Sequence, residues 1–88
     1  MSYFTTLKNI RNTQLIMFSS MFIKYKRKSE GISQSQLGFE SGIARFQISR
    51  IERGTVDPSI STLKAIFDAL DTNFGEFHIF ILENSLKK

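Results

Sequence analysis

The chain has no cysteine among its 88 residues, so disulfides and thiolate metal sites are excluded as sources of stability. That absence fits a reducing, cytoplasmic setting. There is a single histidine, His78, inside the apolar run FHIFIL, where a histidine satisfied within a core or an interface is expected. No nucleophile–base pair, metal-ligand spacing or phosphate-binding glycine loop is present, so no catalytic site, metal or cofactor is expected. The sequence also lacks the run of ~20 apolar residues needed to span a bilayer. The nearest candidate, Leu15–Ile23 (LIMFSSMFI), is interrupted by two serines and followed directly by KYKRK. No small-residue cleavage site follows it, and it reads as a core-facing helix rather than a targeting signal. Linkers, repeats and low-complexity tracts are missing, which leaves a second domain no place to start.

What is present is apolar surface and unevenly placed charge. Nine phenylalanines give a small domain without staples material for a core and for self-association. The net charge of +4 is modest. Residues 1–53 hold nine Lys/Arg against three Asp/Glu, however, whereas residues 54–88 hold three against five. A basic front half and an acidic rear half imply that one face meets a polyanion and another looks elsewhere.

Periodicity and end signals predict an all-α chain. Residues 1–12 carry Tyr3, Phe4, Leu7 and Ile10, which suit a short helix or a loose arm. A firm helix is predicted from about Thr13 to Ser29, with Phe18, Met21, Phe22 and Tyr25 at helical spacing and Gly31 as its C-cap. Ser33 with Gln36 makes a capping-box pattern, opening a second helix to about Glu40. After a turn at Ser41-Gly42, a third helix covers Arg45–Arg53 and stops at Gly54. Asp57-Pro58-Ser59 opens a fourth helix with an apolar stripe through Ile60, Leu63, Ile66, Phe67 and Leu70. Asn73 and Glu76 form a second capping box before FHIFIL, a run that also has high β-propensity; helix is the preferred reading there.

The stretch Ser33–Gly54, SQSQLGFESGIARFQISRIERG, is the most informative. Two short helices meet at a tight turn, the layout that pushes one helix into a DNA major groove while the other braces it. Gly38 supplies the small residue required where the helices cross, and Gly42 the left-handed turn position. Leu37, Ile43, Ile48 and Ile51 have the spacing to lock the pair together.

Residues 22–70 resemble the repressor/Cro-type (XRE-like) helix-turn-helix family of bacterial and phage transcriptional regulators. ISQSQLGFESGI and ISRIERGTVDPSISTLKAI carry the likeness, and FESG with R-x-x-IS-x-IERG is similar to small controller proteins of restriction–modification systems. The resemblance implies a five-helix repressor-like DNA-binding domain at residues 17–72, preceded by an N-terminal extension (1–16) and followed by a C-terminal dimerisation helix (73–88). By position it implies that Arg45, Phe46, Gln47 and Arg50 read bases, and that Gln34, Arg53, Thr55 and Ser59 bind phosphates. It further implies a structural ion pair between Arg27 and Glu52. Because one such domain makes few base contacts, a two-fold dimer is expected, with part of the set Phe74, Phe77, Phe80 and Ile81 at its interface and the rest packed inside the same chain.

Two positions depart from the family's pattern. Lys26 stands where an aliphatic residue is usual, so either its stem covers the core edge or Tyr25 takes the buried place. Ala44 stands where a side-chain cap is common. The expected function is a homodimeric regulator of transcription, a repressor before an activator, bound to double-stranded DNA at a palindromic operator. No membrane partner is expected. The alternative is an antitoxin or restriction–modification controller whose termini also bind a partner protein such as a toxin.

Overall fold

The computed structural model describes residues 12–86; the expectations for residues 1–11 lie outside them. Five helices follow one another: α1 Asn12–Ser29, α2 Gln34–Ser41, α3 Arg45–Glu52, α4 Ile60–Ala69 and α5 Phe74–Leu86. There is no strand among the described residues, so helical periodicity prevails over the β-propensity of FHIFIL. α1 runs unbroken through the boundary expected between residues 16 and 17.

The helix ends follow from local chemistry. Ser33 Oγ accepts from the Gln36 N–H at the start of α2, and Asn73 Oδ1 accepts from the Glu76 N–H in the first turn of α5. Ser59 caps α4 by accepting from the Thr62 N–H, which leaves Pro58 just outside the helix. Asp71 takes the left-handed conformation after α4, with φ 55°, a geometry that Asp tolerates better than most residues.

α1 lies against α3 and α5, and α2 against α3 and α4. The core fills the centre of this arrangement. α1 contributes Phe18, Phe22 and Ile23, α2 Leu37, α3 Ile48 and Ile51, α4 Leu63, Ile66, Phe67 and Leu70, and α5 Phe77 and Ile81. Phe22 meets Phe67 edge-on at 5.4 Å, and Phe77 lies 5.1 Å from Phe22 and 5.5 Å from Phe67. Each such pair adds about 0.5–1.5 kcal/mol beyond area burial, joining α1, α4 and α5 with no covalent staple.

The serines that interrupt the apolar run of α1 are buried and satisfied. Ser19 Oγ donates to the Leu15 carbonyl at 2.9 Å, and Ser20 Oγ donates to the Glu52 main-chain carbonyl. No helix among the described residues is long and apolar enough to cross a membrane.

Candidate nucleic-acid interface

α2 and α3 approach closely because position 38 has no side chain. A Cβ on Gly38 would stand 2.8 Å from the Ile43 carbonyl oxygen and 3.4 Å from the Arg45 nitrogen. The turn that follows puts Gly42 at φ 76°, and its N–H donates to the Gly38 carbonyl at 2.9 Å. Ile48 and Ile51 face the core and are buried. The other side of α3 therefore faces solvent and carries Arg45, Phe46 and Arg50, with Arg53 just past its end; all four are exposed and Gln47 is half-buried. Phe46 is 63% exposed on that side.

The only acid of α3, Glu52, is 2% exposed and turned inward. Its Oε2 accepts from Arg27 Nε at 2.6 Å, and its Oε1 from an Arg27 terminal N–H at 2.9 Å and from Gln34 Nε2 at 3.1 Å. Arg27 also donates to the Ile32 carbonyl at 2.9 Å. The Arg27 guanidinium is held above its ordinary pKa, first by its hydrogen bond to Glu52 and then by the carboxylate's charge, against the opposing effect of burial. A buried bidentate pair with a third donor leaves neither charge stranded. The exposed face of α3 thus carries positive charge alone.

The expected phosphate-binding residues divide. Arg53 is exposed and donates to Ser49 Oγ at 2.6 Å. Thr55 is exposed, but its hydroxyl donates to the Arg50 carbonyl at 3.0 Å and so closes the end of α3. Ser59 is occupied as the α4 cap and donates to Thr62 Oγ1 at 3.0 Å. Gln34 points its amide at Glu52 instead of outward. The sequence reading had no signal for that contact, nor for Ser20, because neither pairing is local.

The expected interface residues of α5 divide between the core and the surface. Phe77 and Ile81 are buried in the chain's own core, because α5 turns that face onto α1 and α4. Phe80 is half-buried against Phe22 and Tyr25, and Phe74 lies edge-on to Phe67 at 4.9 Å. Ile79, absent from the expected set, is 56% exposed. His78 is exposed as well.

Lys26 resolves the first departure noted in the sequence. Tyr25 remains exposed, while the half-buried Lys26 pairs its ammonium with Glu76 of α5 at 3.1 Å. Glu76 is held below the usual carboxylate range, chiefly by a hydrogen bond from Thr72 and next by Lys26. At Ala44, the second departure, α3 begins without a side-chain cap.

A tight α2–α3 crossing, a buried acid and an outward basic face define a helix-turn-helix protein. The Helix-turn-helix family profile matches residues 23–77, and the chain belongs to that family of DNA-binding transcriptional regulators. It is 38% identical over 55 residues to the HTH-type transcriptional regulator SlrR of Bacillus subtilis, a match covering 61% of this chain and 36% of SlrR. It is 37% identical over 49 residues to the uncharacterized HTH-type transcriptional regulator y4dL of Sinorhizobium fredii, covering 56% of this chain and 25% of that protein. The matched segments thus span less than half the length of these two curated relatives.

The likeness in structure extends further. The wild-type restriction–modification controller protein C.Esp1396I superposes with a TM-score of 0.78 at 30% identity, covering 84% of this chain and 95% of the controller. The same controller as a tetramer on its natural 35 base-pair operator gives 0.77 at 30% identity, covering 83% of this chain and 96% of that one.

Proposed function

We propose that this chain is a sequence-specific double-stranded DNA-binding regulator that acts as a homodimer on an operator and represses transcription by occupying it. The observation that carries the reading is the composition of α3: three arginines and Phe46 lie outward at its surface or just past its end, and the sole acid is buried against Arg27. Arg45, at the start of the helix, is the principal reader. An arginine that donates to guanine O6 and N7 discriminates among bases by about 1–3 kcal/mol. Phe46 meets a thymine methyl, Gln47 and Arg50 complete the reading face, and Arg53 clamps phosphate without reading sequence.

One such helix makes few base contacts, so two copies related by a two-fold axis are needed, with half-sites about 34 Å apart. The outer face of α5, carrying Ile79, is the surface we assign to the second copy, with Phe74 and Phe80 at its margins. A narrower reading, a restriction–modification controller, is favoured by the likeness to C.Esp1396I across nearly all of that protein. A restriction enzyme gene adjacent to this one is its genomic test.

Selection of bound duplexes from a random pool, followed by gel shifts at physiological salt, tests the main reading. The expected result is an inverted repeat bound at least ~10³-fold more tightly than random duplex. Equal affinity for selected and random DNA removes the specific-regulator reading.

A further inference from the structure

We propose that a second copy of this chain docks on a face shared by α1 and α5, about a two-fold axis that runs along the seam between these helices. The proposal rests on the homodimer reading and deepens it, by adding α1 to the pairing surface and by fixing the direction of the axis.

The outward side of α1 is apolar where its own chain leaves it uncovered. Met17, Met21 and Tyr25 follow one another at i, i+4 and i+8 on one side of the helix, and they are 49%, 41% and 59% exposed. The Tyr25 ring stacks on Phe80 of α5 with centroids 6.3 Å apart, so the stripe continues across the seam. On α5, Ile81 turns into the core, and Ile79, on nearly the opposite side of the helix, looks outward. Single exposed apolar residues are ordinary, but a contiguous run over two helices marks an interface.

The two edges of this face carry opposite charge. Successive residues of a helix are turned by about 100°. Lys26 reaches α5 through Glu76, so Lys24, on the other side of Tyr25, lies on the edge away from α5. Lys28, one turn further on, lies beside it, and both lysines are exposed. On α5, Phe80 faces α1, and the exposed Glu83 lies on the Ile79 side of it. The order across the face is basic edge, apolar centre, acidic edge.

That order selects the symmetry. A two-fold interface presents the same patch from both sides. With the axis along the seam, α1 of one copy lies over α5 of the other, and the lysines meet Glu83 twice. With the axis across the seam, lysines meet lysines and Glu83 meets Glu83. Complementary edges favour the first arrangement, and like-charge contact disfavours the second. An interface confined to α5 would leave the methionine stripe of α1 in water.

Sedimentation equilibrium of the full chain tests the proposal, with far-ultraviolet circular dichroism to establish folding. Met21, Lys24 and Glu83 are exposed, so their variants should keep the helical signal. Met21→Glu should weaken self-association at least ~100-fold, since the charge enters the centre of the face twice. Lys24→Glu and Glu83→Lys should each weaken it about tenfold, and the double variant should return to within about twofold of wild type. A dimer unmoved by Met21→Glu but broken by Ile79→Asp places the interface on α5 alone and overturns the proposal, leaving the homodimer reading standing. A double variant as weak as the single ones overturns the axis along the seam. A wild-type chain that stays monomeric overturns the proposal together with the homodimer reading, while the selected duplexes still decide the DNA-binding reading.

Discussion

Replacing Glu52 by alanine tests the brace directly. The substitution removes three side-chain hydrogen bonds, two from Arg27 and one from Gln34. It leaves a guanidinium whose side chain is 12% exposed and which, among the described residues, keeps its bond to the Ile32 carbonyl. Breaking a buried pair by deleting one member costs about 3–5 kcal/mol, and the retained carbonyl contact argues for the lower end. For a domain of this size 1 kcal/mol moves the melting temperature by roughly 4–8 °C, so Glu52→Ala should melt at least roughly 12 °C below wild type. Glu40→Ala is the control, because Glu40 is exposed and accepts from the neighbouring Gln36 at the surface; its effect should stay within about 0.5 kcal/mol. The double variant Arg27→Met/Glu52→Met removes both charges and should recover most of the loss, since an apolar pair of similar volume is often no worse than a buried ion pair. Circular dichroism melts with parallel urea titrations measure all three. Equal melting of Glu52→Ala and Glu40→Ala, or a double variant as unstable as the single one, refutes the assignment of the brace as a charge-balanced unit.

Three further outcomes follow from the same geometry. Gly38→Ala forces a Cβ to within 2.8 Å of the Ile43 carbonyl; the strain should exceed the ~1 kcal/mol gain in helix propensity, giving a net loss in urea unfolding, and a more stable variant contradicts the close crossing. Arg45→Ala should relax base preference in a selection experiment while Arg53→Ala weakens all DNA about evenly; identical profiles undo the division into reader and clamp. Glu76 has a lowered folded-state pKa, so its stabilising contribution is present above the ordinary carboxylate range and is lost as the pH falls through the folded value. Glu76→Gln should accordingly lower stability at neutral pH and converge with wild type in acid, and a constant difference across pH speaks against the Thr72 and Lys26 contacts.

The helices were legible because their signals are local. Ser33 and Asn73 cap the helices expected of them, and Gly42 takes the turn conformation its position requires. Half of each capping box fails, and for a physical reason. Gln36 reaches Glu40, and Glu76 reaches Thr72 and Lys26, in place of returning to the cap residue. Long polar side chains near solvent have several partners of similar energy, and sequence spacing cannot rank them. The basic face of α3 was legible for the same local reason, since positions 45, 46 and 50 follow from the helical period once Ile48 and Ile51 are set inward. The contacts of Gln34 and Ser20 join residues 18 and 32 positions apart, and no periodicity encodes those. The aromatic residues of α5 were grouped by type, but burial selects by face: Phe77 and Ile81 turn inward and Ile79 outward.

Adjacent residues of α1 connect the two surfaces that the proposed dimer needs. Arg27 holds Glu52 of α3, while Lys26, rotated about 100° around the helix axis, holds Glu76 of α5. The recognition helix and the helix assigned to the second copy are therefore referenced to the same turn of α1. In a two-fold dimer each recognition helix stands about 17 Å from the axis if half-sites are about 34 Å apart. A tilt of about 5° between α3 and α5 would then displace the reading side chains by about 1.5 Å, half a hydrogen-bond length. The two ion pairs add directional contacts to the close-packed core that already holds these helices. In the proposed dimer, the two ion pairs on consecutive residues, one buried and one near solvent, would tie the reading and pairing helices to the same turn of α1, and the angle between those helices would bear on the spacing of half-sites.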